Sequence, residues 1–199
     1  MNAWARTPRR RKRWVAGALL LLLLGTFSVV VPPVVDFVLF APWAYDYFGR
    51  STLTGNWIGH VTTPRGARYV VYLELHRYTT SRGNPSRVRH GRAAIDGAAW
   101  WCAHHIPSTT APLYGSADRS ASDVRLGVDD PEPLRAGLGP STFRGVWHGS
   151  TLVVQVGFRR LNAQGAAISS STNPDDTQTV TMTLRKGQHN AYQSACARL

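Results

Sequence analysis

Apolar and polar positions divide the chain into two regimes. From Trp14 to Val31 (WVAGALLLLLLGTFSVVV) no charge interrupts eighteen residues. As a helix rising about 1.5 Å per residue this stretch spans roughly 27 Å, close to the hydrocarbon thickness of a bilayer, and it reads as one transmembrane helix over residues 14–31. Arg9, Arg10, Arg11, Lys12 and Arg13 stand directly before it, and cations beside a spanning segment resist translocation. The expected topology is a basic cytoplasmic tail over residues 1–13 and a single pass through the cytoplasmic (inner) membrane. The C-terminal domain is then extracytoplasmic, on the periplasmic side. Val29-Val30-Val31-Pro32-Pro33 is a poor substrate for a protease that requires small-x-small, which favours a signal-anchor.

Pro32-Pro33 predicts a break or kink, because proline removes an amide donor and crowds the preceding turn. Val34 to Phe48 is then apolar and dense in rings: Phe37, Phe40, Trp43, Tyr45, Tyr47 and Phe48. Such rings prefer the membrane–water interface, so residues 32–50 read as an aromatic interfacial collar and linker. The alternative is a spanning helix that continues through the prolines. Asp36 favours the collar.

From Thr52 the period falls to two. Asn56 to Thr63, Ala67 to Arg77, Val88 to Asp96, Ala99 to His104, Val124 to Val128, Phe143 to His148, Leu152 to Phe158 and Thr177 to Arg185 read as strands, separated by Gly, Pro, Asn, Asp or Ser. In Thr179-Val180-Thr181-Met182-Thr183-Leu184 the apolar residues point one way and the threonines the other, as a sheet with one wet face requires. Ser116 to Asp123, Asp129 to Ser141 and Asn162 to Asp176 read as long connections. The expected fold is mainly β: one transmembrane helix followed by a small antiparallel β-barrel over residues 51–199, with a β-sandwich as the alternative. His189 to Leu199 is expected to form a closing helical turn.

Leu53-Thr54-Gly55-Asn56-Trp57 resembles the first-strand signature of the calycin barrels, the lipocalin and avidin families. The resemblance implies a calycin-like, eight-stranded up-and-down barrel in which Gly55 lets the chain turn in and Trp57 plugs the floor. It also implies that Arg185, near the end of the last strand, covers that tryptophan. Ile58-Gly59-His60-Val61 follows Trp57 in place of the avidin biotin-binding residues, and no Thr-Asp-Tyr lipocalin signature occurs, so no ligand is implied.

The net charge of +12 is partly a topology signal, since six cations precede the helix. From Ala41 onward 17 basic residues face 10 acids, an excess that suits anionic lipid or envelope glycan as well as plain solvation. No nucleic acid is expected, because no binding motif accompanies the charge. Arg77, Arg82, Arg87, Arg89 and Arg92 surround a turn without an intervening acid and form the candidate anionic-surface patch. Cys102 and Cys196, the only cysteines, are expected to form a disulfide in an oxidising compartment. Cys102-Ala103-His104-His105 lacks metal-ligand spacing, so neither a metal nor another cofactor is expected. Trp100, Trp101 and Trp147 are candidates for a ligand-binding wall, with core packing as the alternative. No Gly-x-Ser-x-Gly elbow or credible catalytic group occurs. The expectation is an anchored binding or envelope accessory module for an apolar or amphiphilic ligand or a partner protein. A structural or assembly subunit with a filled barrel is the alternative, and an enzyme the third.

Overall fold

A computed structural model describes residues 8–63, 66–79, 90–104, 106–129, 139–159 and 177–199. Helix α1 (Pro8–Val35) carries the uncharged run and continues through Pro32 and Pro33, the alternative that a break at the prolines competed with. A π-helical turn (Asp36–Phe40) and two short 3-10 turns (Pro42–Ala44, Tyr47–Gly49) lead into the sheet. The wide turn follows directly on two residues that cannot donate amide hydrogen bonds, a place where helical hydrogen bonding readily reorganises. Among the described residues α1 is the one helix long and apolar enough to cross a membrane.

Eight strands follow: β1 (Gly55–Thr62), β2 (Arg68–Arg77), β3 (Arg92–Ala103), β4 (Ile106–Asp118), β5 (Val124–Val128), β6 (Pro140–His148), β7 (Thr151–Arg159) and β8 (Thr177–Lys186). Each pairs antiparallel with the next, and β8 returns to β1 through Trp57↔Lys186, Ile58↔Arg185 and Gly59↔Leu184, closing the barrel. Closure removes every sheet edge.

Two sequence expectations are corrected here. The strands expected at Val88 to Asp96 and at Ala99 to His104 are one strand, β3, whose inward residues Ala93, Ile95, Ala99 and Trp101 keep their alternation through Gly97. A Cβ at Gly97 would lie 1.8 Å from the Glu74 carbonyl oxygen, so the glycine permits close strand approach and does not end the strand. Ile106–Asp118, part of which reads as a connection, is β4. Its prolines, Pro107 and Pro112, precede Leu113↔Val128, where the described pairing with β5 begins, and on an unpaired side a missing amide costs no ladder bond. The connections at 130–138 and 162–176 lie outside the described residues.

The two ends of the barrel differ. At one, which we call the sealed end, Ala41, Trp43 and Leu53 pack beneath the strands as part of the main core. The chain enters there, and the β4–β5 and β6–β7 turns lie there. At the other, the open rim, β1, β3, β5 and β7 end. After β8 the chain forms α2 (His189–Cys196), which lies outside the barrel against β2 and covers a second cluster of Val70, Tyr72, Cys102, Tyr192 and Ala195. Cys102 and Cys196 are bridged, with their Cα atoms 5.9 Å apart.

Candidate functional site

The sealed end is built on one buried carboxylate. Asp36 leaves α1 pointing at the barrel, where Arg77 at the end of β2 meets it in a fork: Nε donates to Oδ2 at 3.0 Å and Nη2 to Oδ1 at 2.9 Å. Both side chains are 5% exposed. Tyr45 donates its hydroxyl to Asp36 Oδ2 at 2.9 Å, and burial, reinforced by that carboxylate, pushes the phenol well above its ordinary pKa. Arg77 also donates to the Ala94 carbonyl at 2.9 Å. A charge taken out of water requires this degree of satisfaction. Trp43 Nε1 donates to the Asp118 carbonyl at 2.9 Å, and the Leu53 amide to the Trp43 carbonyl at 2.8 Å. The segment leaving the helix is thereby hydrogen-bonded into the barrel floor. Phe37 meets Tyr45 and Tyr47 edge-on, and the two tyrosine rings stack 5.5 Å apart.

Trp57 is fully buried at this end and donates Nε1 to the Leu53 carbonyl at 2.7 Å. The cation above it is Lys186, whose Nζ lies 4.3 Å from the ring centroid, and not Arg185. Arg185 pairs with Ile58 and is exposed, because neighbouring residues of a strand point to opposite faces. Lys186 also donates to the Thr54 carbonyl. Its stem is exposed while its ammonium is half-buried, and burial lowers its pKa to about 8. A Cβ at Gly55, which has φ +106°, would come 3.1 Å from that ammonium, so the position needs glycine for backbone and space alike.

The three tryptophans nominated as a ligand wall do not share one. Trp101 points inward toward the rim and is buried. Trp147 is a partly buried member of the main core at the sealed end, its Nε1 bonded to the Gly149 carbonyl at 2.7 Å. Trp100, one residue from Trp101, faces outward and meets Tyr72 and His189 edge-on beneath α2.

Of the expected arginine patch, Arg77 and Arg92 lie among the described residues, and both are paired with carboxylates. Arg77 is consumed by Asp36. Arg92 forms an ion pair with Asp123 at 2.5 Å and donates to both Ser116 and the Asp123 carbonyl, stapling β3 and β4 to the β4–β5 turn. Hydrogen bonding from Arg125, ahead of Arg92, holds the Asp123 carboxyl below its ordinary range. Arg82, Arg87 and Arg89 lie outside the described residues. Cys102 is a disulfide partner, and among the described residues no group of three His, Cys, Asp or Glu is placed to hold a metal ion.

The interior is apolar and closely filled at its sealed half: Trp57, Leu73, Leu75, Leu113, Phe143, Leu152 and Leu184 have no exposure. Small exposures appear toward the rim, where Val61, Tyr69, Val128 and Phe158 reach 5–8%, and at the partly buried Ala44 and Trp147 of the sealed end. Residues lining a void large enough for water would show surface to it, so these side chains leave no lumen among them.

No protein-family model matches the chain, and no curated protein matches it. Among solved structures, the one titled "Structure of EF1p2_mFAP2b bound to DFHBI" is similar at 12% identity and a TM-score of 0.40, over 68% of this chain and 94% of that one.

Proposed function

We propose that the protein is a membrane-anchored binding module that acts through its outer surface and open rim, and does not enclose a ligand in the barrel. The observation that carries this reading is the buried Asp36–Arg77 pair, seated 41 residues apart at the junction of helix and barrel. A cleavable leader has no need of a floor built against its own end, whereas an anchor that must hold a domain in fixed orientation does. With α1 across the bilayer, the sealed end faces the membrane and the rim faces away. The Phe37, Tyr45 and Tyr47 rings then lie at interfacial depth, where aromatic side chains concentrate. The basic residues before Trp14 keep the amino terminus in the cytoplasm, and the disulfide accords with an oxidising compartment outside it.

The full chain with one epitope at each end tests this. Both epitopes are expected on a single membrane-bound polypeptide, with protease added to the outer side removing only the carboxy-terminal one. Loss of the amino-terminal epitope during maturation, or protection of the carboxy-terminal one in sealed membranes, would reject the proposal. The filled sealed half also favours a second reading, a structural subunit of an envelope complex. That reading predicts a stoichiometric assembly surviving mild detergent extraction.

A further inference from the structure

Helix α2 forms one wall of a groove outside the barrel. The disulfide ties it to β3, and Tyr192, 1% exposed, shares a 2.7 Å hydrogen bond with Ser108. Where the helix ends, Arg198 stands near Arg68, the first residue of β2. Two cavities of about 550 Å3 and about 280 Å3 have Arg68, Arg198 and Leu199 in common. His104 and Ile106 line the larger, His60 and Val70 the smaller. No aspartate or glutamate lines either one.

Three arginines elsewhere are neutralised by carboxylates, Arg77 by Asp36 and both Arg92 and Arg125 by Asp123. Among the described residues Arg68 has no such carboxylate, and Arg198 spends its Nε on the Ser194 carbonyl at 3.1 Å. Two guanidinium groups share this groove with the main-chain terminus at Leu199, which leaves it net cationic and able to match the planar or tetrahedral oxygens of a carboxylate or phosphate. Apolar surface beside them comes from Ala67, Ile106 and Leu199, mixed with the polar groups of His60, Thr62 and His104. The larger volume falls within the range of small-molecule sites, roughly 300–1,000 Å3, and the smaller lies just below it. The disulfide and the Tyr192 contact hold the walls before a ligand arrives, which lowers the ordering cost of binding.

We infer that this groove binds an anionic amphiphile, a carboxylate or phosphate head on a short apolar chain, with the head at Arg68 and Arg198. β1 is eight residues long, so at about 3.3 Å per residue the rim stands roughly 26 Å from the sealed end along the strand. The ligand is therefore a molecule free of the anchor's own bilayer. The groove itself lies outside the barrel lumen; only the ligand's separation from the anchor's bilayer rests on the topology proposed above.

The test uses the full chain in micelles of an uncharged detergent, labelled at Ile, Leu and Val methyl groups and titrated with octanoate, octanol or inorganic phosphate. Octanoate is expected to shift the Ile106 and Leu199 methyls saturably and less tightly at high salt. The double variant Arg68→Gln, Arg198→Gln should weaken it at least about tenfold, as loss of charge-assisted hydrogen bonds implies, without moving the Leu152 and Leu184 signals. The single variant Arg198→Lys, which keeps the charge and loses the fork, should fall between. Octanol binding as tightly as octanoate would overturn the role of the arginines, and inorganic phosphate binding as tightly would overturn that of the apolar walls. Shifts confined to Leu152 and Leu184, or no saturable shift at all, would overturn the site.

Discussion

Replacing Asp36 with alanine should separate a structural junction from a chance contact. Both partners of the pair are 5% exposed, so the substitution leaves a guanidinium buried without its counter-ion, a loss that typically costs about 3–5 kcal/mol. Arg77 keeps hydrogen bonds to the Ala94 and Tyr78 carbonyls, which places the expected cost near the lower end, about 3 kcal/mol. The Tyr45 hydroxyl loses its acceptor as well, adding about 1 kcal/mol. Urea unfolding of the full chain in uncharged micelles, followed by tryptophan fluorescence, reads this as a midpoint lowered by roughly 1–4 M, given slopes of about 1–3 kcal/mol per molar urea. The double variant Asp36→Leu, Arg77→Met removes both charges and keeps apolar volume, so it should recover most of the loss. A single variant within about 0.5 kcal/mol of the wild type would refute the reasoning, as would a double variant no better than the single.

Removing the bridge with Cys102→Ala and Cys196→Ala opens a loop of 94 residues and should cost up to about 4–5 kcal/mol in the chain-entropy account; unchanged thermal unfolding of the full chain would contradict it. Gly97→Ala sets a Cβ 1.8 Å from the Glu74 carbonyl oxygen and should destabilise by about 1–3 kcal/mol, read from the same urea midpoint, whereas a silent substitution would mean that β2 and β3 part freely. Lys186, lowered to about 8 by burial, makes the folded chain shed a proton that the unfolded chain keeps until its ordinary pKa. Stability should therefore rise between about pH 8 and 9.5 and flatten in Lys186→Met, and a wild-type curve that falls over this window would reject the assignment.

The parts of the fold legible in the sequence are those that local periodicity writes. Alternation in Thr179 to Leu184, and in Leu152 to Phe158, places strands because each residue's face follows from its neighbours alone. The same rule failed where glycine and proline have positional meaning. Gly97 reads as a terminator because glycine usually punctuates, yet here the Glu74 backbone occupies the space a side chain would need. Pro107 and Pro112 hid β4, because a proline penalty applies only where an amide must donate. The resulting strand count was right for a wrong reason, one strand split and another missed.

Pairings across long separations were legible only when the candidates were few. Two cysteines leave one possible bridge, but sixteen arginines after the anchor leave too many partners for eleven acids. Arg77 to Asp36 and Arg92 to Asp123 thus emerged only with the fold, drawing two members of the expected arginine patch to acids distant in sequence. The cation over Trp57 fails by a narrower margin and with a larger chemical consequence. Register decides it, since a shift of one residue reverses the face: Trp57 stands opposite Lys186, and Arg185 turns to solvent. An arginine there would stay charged at every accessible pH, whereas burial lowers Lys186, the only lysine after the anchor, to about 8. The floor of this barrel is therefore pH-sensitive where the resemblance to calycins implied a permanent charge.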